Sequence, residues 1–177
     1  MRVAVIPERC VGCRVCELVC SERHEGTFRP SRSHIQVLSF DETVQDVPVV
    51  CQQCADAPCL AACPSGALSR NKKTGAVVVD PEVCTQCQTC VEACVVGDGA
   101  VEPHTKLAIR FDDQAQAPAK CDLCDGDPQC VKFCPTQALL LTDVPPTSAE
   151  LSVGGMTKAL KHFLRQEELS ASRQGGK

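Results

Sequence analysis

Residues 10–20 read CVGCRVCELVC, and residues 84–94 read CTQCQTCVEAC. Both follow C-x-x-C-x-x-C-x-x-x-C without deviation, grouping Cys10, Cys13, Cys16 and Cys20, and then Cys84, Cys87, Cys90 and Cys94. Two further groups differ only in the gap before the third cysteine. CQQCADAPCLAAC at 51–63 (Cys51, Cys54, Cys59, Cys63) lengthens it by two residues, and CDLCDGDPQCVKFC at 121–134 (Cys121, Cys124, Cys130, Cys134) by three. Each of the lengthened groups ends in Cys-Pro, at Pro64 and Pro135. The four groups account for all 16 cysteines of the 177-residue chain.

Three chemistries use cysteine at this density. Disulfides staple small secreted folds, but thiols two residues apart do not readily reach bonding geometry. Zinc takes two C-x-x-C knuckles, and nothing in its chemistry asks for a third cysteine two residues on. Iron–sulfur ligation asks for that third cysteine. Three thiolates on one short loop meet three irons of a cubane, and the fourth, three residues later, reaches a neighbouring cluster, as in two-cluster bacterial ferredoxins. Four clusters of the 4Fe–4S type would use the sixteen cysteines with none left over.

Pairing of the groups decides the architecture. Twenty residues separate Cys63 from Cys84, against 30 between Cys20 and Cys51 and 26 between Cys94 and Cys121. The short central gap reads as a helix or turn followed by a strand at Ala76–Asp80, like the middle of a ferredoxin. Groups two and three then form an inner module at 51–94, inserted in an outer module made of 1–50 and 95–145. The ligand sets expected from this nesting are Cys10, Cys13, Cys16 and Cys134; Cys121, Cys124, Cys130 and Cys20; Cys51, Cys54, Cys59 and Cys94; and Cys84, Cys87, Cys90 and Cys63. A tandem pairing, one with two and three with four, stays open and uses the same sixteen ligands. The fold class is α+β, with short strands and helices wrapped around four clusters.

Beyond the cysteines, three stretches carry a resemblance: CSERHEG at 20–26, PSRSHI at 30–35 and CQQCADAPC at 51–59. With them the chain resembles, over most of its length, the four-cluster ferredoxin-like electron-transfer subunits of molybdenum or tungsten pterin oxidoreductases, hydrogenases and carbon monoxide dehydrogenases. The compact length is most similar to cytoplasmic members, including those of the aldehyde oxidoreductase type. The resemblance implies the nested order and a catalytic oxidoreductase subunit as partner. Cys20 and Cys94 lack the proline that follows the fourth cysteine of simple ferredoxins. That is compatible with ligation, because proline shapes the turn and binds no iron.

Composition agrees with a metal-centred interior. The chain is 44 % apolar with cysteine counted, and it has five Phe, no Trp and no Tyr. So few large side chains bury little area against chain entropy. A net charge of −4 without a basic stripe argues against nucleic acid. No run of eighteen apolar residues spans a membrane, and the start of the chain resembles no export signal, so a cytoplasmic location is expected. Short strands are expected at Arg2–Ile6, Ile35–Phe40, Thr43–Val50, Ala76–Asp80, Leu107–Phe111 and Leu139–Thr142. Helical turns carrying the fourth cysteines are expected at Cys16–Arg23, Cys59–Cys63, Cys90–Val95 and Cys130–Phe133. His24, His34, His104 and His162 read as structural or exposed imidazoles, since the cysteines already suffice. Asp112 and Asp113, adjacent at a strand end, point opposite ways and form a solvated loop edge. Nothing resembles a nucleophile with its base, a phosphate loop or a dinucleotide fingerprint, so the expected chemistry is one-electron transfer without catalysis.

After Pro145-Pro146 and Gly154-Gly155 the pattern changes. Met156, Ala159, Leu160, Phe163 and Leu164 recur at helical spacing, with Lys158, Lys161, His162 and Arg165 opposite. This predicts an amphipathic helix over about 156–169, about 20 Å long, within a linker and tail at 146–177. Residues 156–177 carry five Lys or Arg against two Glu. The basic stripe is expected to dock on its own body, on the catalytic subunit or head-to-tail on another copy.

Overall fold

The computed structural model describes residues 1–40, 44–96, 108–111 and 115–148. Its elements are short, as a chain spending residues on metal loops would have them. In order they are β1 (Arg2–Val5), α1 (Val15–Glu25), β2 (Ile35–Phe40), β3 (Gln45–Val50), α2 (Pro58–Ala61), β4 (Leu68–Arg70), β5 (Val77–Val79), α3 (Thr89–Glu92), β6 (Ile109–Arg110), β7 (Ala119–Lys120), α4 (Gln129–Lys132) and β8 (Leu139–Thr142).

Every strand pairs antiparallel with one other. β2 and β3 form a hairpin, as do β4 and β5 and the two-residue strands β6 and β7. The exception to local pairing is β1 with β8, Arg2 opposite Thr142 and Val5 opposite Leu139. That ribbon brings the segment before the first cysteine group against the segment after the fourth. The helices pair in the same sense: α1 packs on α4, and α2 on α3.

α1 is the longest helix because it has both a start and a stop. Arg14 turns left-handed (φ 55°) ahead of it, and Gly26 (φ 67°) closes it, donating its N–H to the Glu22 carbonyl. Its buried face is Cys16, Glu17, Cys20 and Ser21, which are positions one turn apart on one side. Glu17 is buried because its Oε1 accepts the Val37 N–H at 2.6 Å, tying α1 to β2. In β2, Ile35 and Val37 point inward and Gln36 is half-buried, the alternation of a one-sided strand. Pro48 is tolerated in β3 because a two-stranded ribbon leaves each strand an open edge.

The core is small and made of β-branched side chains. Val3, Ile35, Val37, Val47, Val49, Val50, Val77, Ile109, Leu123 and Leu139 are buried in one cluster with eight cysteines: Cys16, Cys20, Cys51, Cys59, Cys90, Cys94, Cys121 and Cys130. Phe40 is the one aromatic among the buried described residues.

The expected elements are present with adjusted ends. β1 and β3 are shorter than expected, α1 reaches from Val15 to Glu25, and β8 has the expected bounds. After Cys63 the chain makes a turn at 64–65, as expected of a helix or turn there, and then adds an unexpected strand, β4, because Leu68 finds a partner in Val79. β7 was not expected. The amphipathic segment 156–169, His104, His162 and Asp112–Asp113 lie outside the described residues. No helix among the described residues is long and apolar enough to cross a membrane.

Candidate metal centre

Each cysteine group makes its loop by the same backbone device. Two residues after the first cysteine the chain turns left-handed: Gly12 (φ 64°), Gln53 (φ 53°), Gln86 (φ 57°) and Leu123 (φ 63°). In groups one, three and four a second such residue follows the second cysteine, at Arg14, Gln88 and Asp125. Left-handed backbone costs a non-glycine residue about 1–2 kcal/mol, so four repeats of it mark loops shaped for what they enclose. At Gly12 the shape also needs the missing side chain, because a Cβ there would strike the Asp46 carboxylate.

Three cavities are each lined by four cysteines. The first has Cys51, Cys54, Cys59 and Cys94. The second has Cys63, Cys84, Cys87 and Cys90. The third has Cys20, Cys121, Cys124 and Cys130. Each takes three cysteines from one group and the last cysteine of another. The remaining four also act on one another: burial raises the Cys10 thiol, and Cys13 and Cys134 add to it. Burial likewise pushes Cys16 up to about 12, with smaller contributions from Glu17, Cys10 and Cys13.

Cysteines of different sets also bear on one another. Burial raises Cys130 strongly, and Cys121, Cys20, Cys124 and then Cys16 add to it, linking the first set to the second. Burial raises Cys121, with Cys51 the next contributor, which links the second to the third. Burial pushes Cys90 up to about 11, with Cys59 the next contributor, linking the third to the fourth. Of the sixteen cysteines Cys13 and Cys87 are exposed, while Cys10, Cys54, Cys63, Cys84 and Cys134 are half-buried.

The donor set fits an iron–sulfur core. Buried thiols this reluctant to ionise stay thiolate only around a cation, and four soft sulfurs select zinc or iron–sulfur. Backbone N–H groups aimed at the sulfurs favour the second. Ala138 N–H donates to Cys134 Sγ at 3.2 Å and His34 N–H to Cys20 Sγ at 3.2 Å. Cys63 and Cys134 have matching surroundings, with Ser65 Oγ 3.7 Å and Thr136 Oγ1 3.8 Å from the respective sulfur. For both, burial raises the thiol, and these hydroxyls together with backbone N–H groups outweigh it, leaving a net lowering. The sequence carries a signal for this in the repeat CPSGAL at 63–68 and CPTQAL at 134–139.

Cys20 lacks the proline and uses histidines instead. Burial raises its thiol, but hydrogen bonds from His24 and from the His34 backbone leave it lowered. Both ring nitrogens of His24 face acceptors: Nδ1 the Cys20 carbonyl at 2.8 Å, and Nε2 Asp122 Oδ1 at 3.0 Å. Burial opposes its cation, but Asp122 and Cys20 outweigh this and raise it to about 11. His34 stacks on it with ring centroids 3.9 Å apart and stays neutral, lowered to about 4 by burial and by the His24 charge. His24, His34 and Cys20 each bring a potential ligand atom within 4.8 Å of the others.

Three further residues were not singled out by sequence. Gln52 and Gln53, each 1 % exposed, stitch distant segments together. Arg2 Nη1 donates to Gln52 Oε1 at 2.5 Å, while Gln52 Nε2 donates to the Val3 and Val50 carbonyls. Gln53 Nε2 donates to the Cys121 carbonyl at 2.6 Å, and its Oε1 accepts the Val77 N–H at 2.9 Å. Lys120 is buried beside them. Burial alone would strip its proton, but the thiolates of Cys51 and Cys59 hold it on and raise its pKa.

Comparison with known proteins matches this chemistry. Residues 43–144 match the 4Fe-4S dicluster domain family. The polyferredoxin-like subunit of aliphatic sulfonate oxidoreductase from Pyrococcus furiosus is 42 % identical over 132 residues, covering 75 % of this chain and 70 % of that protein. The electron transport protein HydN of Escherichia coli K12 is 38 % identical over 156 residues, covering 76 % and 83 %. Among solved structures, the active-site complex BamBC of benzoyl coenzyme A reductase with benzoyl-CoA has a chain 26 % identical, covering 79 % and 77 %, at a TM-score of 0.45. The chain belongs to the 4Fe–4S dicluster family, as an iron–sulfur electron-transfer subunit.

Proposed function

We propose that the chain is a relay of four 4Fe–4S clusters serving a catalytic oxidoreductase subunit. Cys10, Cys13, Cys16 and Cys134 hold one; Cys121, Cys124, Cys130 and Cys20 the next; Cys51, Cys54, Cys59 and Cys94 the third; and Cys84, Cys87, Cys90 and Cys63 the last. The observation that carries this reading is the lining of three cavities, each made by three cysteines of one group and the last cysteine of another. The β1–β8 ribbon and the α1–α4 and α2–α3 packing support nesting of an inner module, 51–94, within an outer one, 1–50 with 95–145.

A bound cluster supplies a one-electron couple whose potential is set by burial, charge and hydrogen bonds to sulfur. The protein supplies the rest. It spaces the sites in a row and leaves an edge at each end, near the exposed Cys13 and Cys87, where a partner can approach. For the partner we favour a tungsten or molybdenum pterin enzyme of the aldehyde oxidoreductase type, in the cytoplasm. The likeness to a subunit of an aliphatic sulfonate oxidoreductase supports an oxidoreductase of small organic substrates.

Anaerobic purification of the native protein tests this. About sixteen irons and as many sulfides per chain are expected, together with a much larger protein that co-elutes. Stoichiometric zinc overturns the relay, and elution as a lone small protein makes it a free carrier. Electron paramagnetic resonance tests the ligand sets. Cys20→Ser and Cys124→Ser are expected to perturb the same signal. If Cys20→Ser instead perturbs the signal that Cys54→Ser does, the modules are in tandem.

A further inference from the structure

Lys120 ends β7 and immediately precedes Cys121, yet its side chain lines the cavity of a different set, that of Cys51, Cys54, Cys59 and Cys94. The residue is 4 % exposed. Its Nζ donates to the Val77 carbonyl at 2.6 Å and lies 3.5 Å from Gln53 Oε1. A buried ammonium needs an anion, and no carboxylate pairs with it among the described residues. The ionisable side chains that share its cavity are cysteines, Cys51, Cys54, Cys59 and Cys94. The contrast with His24 is direct: that imidazolium lies in the Cys20 cavity, but Asp122 cancels its charge at 3.0 Å.

We propose that Lys120 is the built-in counter-cation of the cluster held by Cys51, Cys54, Cys59 and Cys94, and that its charge raises that cluster's reduction potential. The inference rests on the ligand sets proposed above. Reduction adds one negative charge to a site that already carries four thiolates. A fixed positive charge in the same low-dielectric cavity stabilises the reduced form over the oxidised one. Lys120 also stands where the second and third sites of the row meet, since it adjoins Cys121 in sequence and Cys51 and Cys59 in space. An electron crossing between the modules is therefore drawn toward the Cys51 side. Gln53 fixes the arrangement, holding the Cys121 carbonyl with its amide N–H while its oxygen faces the ammonium.

The test is an anaerobic potentiometric titration, followed by electron paramagnetic resonance, of the full-length iron-loaded protein. Wild type is compared with Lys120→Met, which keeps the length without the charge, and Lys120→Arg, which keeps the charge. In Lys120→Met one cluster of the four is expected to be about tenfold less reduced at a given potential, a shift of about 59 mV for a one-electron couple. Cys94→Ser identifies that cluster, and Lys120→Arg restores most of the shift. Loss of one cluster in Lys120→Met with retention in Lys120→Arg supports the same role in stronger form. Unchanged potentials in Lys120→Met, an equal shift in Lys120→Arg, or cluster loss in both variants overturns it. Should Cys94→Ser leave all four wild-type signals intact, the ligand assignment fails instead, a result independent of Lys120.

Discussion

Replacing Gln53 by Met removes one side chain and cuts two links. Its Nε2 satisfies the Cys121 carbonyl and its Oε1 satisfies the Val77 N–H, and both of those residues are buried. Leaving a buried polar group unsatisfied costs about 1–3 kcal/mol, so the pair is worth about 2–6 kcal/mol. Methionine matches the length and refills the space, so little cavity cost is added. Because loss of metal accompanies unfolding, equilibrium stability is poorly defined here, and the measurable quantity is the rate of cluster loss. At the lower bound of 2 kcal/mol, bleaching of the iron–sulfur absorption in a fixed guanidinium concentration should run about thirtyfold faster than in wild type. The assay is anaerobic, followed optically, with iron content matched at the start. A rate within threefold of wild type would refute the view that Gln53 braces the second and third cysteine groups against the fourth.

Gly12→Ala forces a left-handed alanine, at about 1–2 kcal/mol, and drives its methyl into Asp46. The variant should lose cluster faster, with partial recovery when Asp46→Ala is added; equal rates in all three proteins would sink the argument. Iron chelation under reducing conditions should abolish compact structure, as in small zinc domains, and a cooperative thermal transition in the apo-protein would show otherwise. Deletion of residues 154–177 should leave the iron content unchanged and weaken assembly with the partner. Loss of clusters, or assembly as strong as before, would make the basic tail part of the body's own fold.

Cysteine spacing made most of this molecule legible, because the spacing is itself geometry. A helix that contains the third and fourth cysteines must put Cys16 and Cys20 on one face, and strands such as Ile35–Phe40 announce themselves by alternation. What escaped the sequence was short or polar. β4 is three residues with two polar members, Ser69 and Arg70, so its pairing with Val77–Val79 had no periodicity to reveal it. β7 is two residues long. Gln52, Gln53 and Lys120 look like loop polarity until the fold buries them, since burial of a polar residue is decided by partners far away in sequence. The CPSGAL and CPTQAL repeat was readable and marks where hydroxyl and backbone donors meet Cys63 and Cys134.

The same residues explain why so small a hydrophobic core suffices. Each helix holds the third cysteine of its group, with the fourth one turn on: Cys16 and Cys20 both lie in α1, while Cys63 and Cys134 fall just beyond α2 and α4, which hold Cys59 and Cys130. On the proposed ligand sets, the two serve different clusters, so every helix is a bridge between neighbouring sites. Metal bonds then do in this chain what aromatic packing does elsewhere, and they do it cooperatively. Such a framework needs satisfied polar groups at its seams more than bulk. The seams are where Gln52, Gln53, Lys120 and the His24–Asp122 pair are found. Each seam residue also sets local charge or hydrogen bonding at a thiolate, the levers by which protein controls an iron–sulfur potential. Stability and redox tuning are thus assigned to the same side chains. A substitution at a seam should therefore move both, whereas one in the β2–β3 hairpin, such as Val47→Ala, should cost stability and leave the potentials where they are.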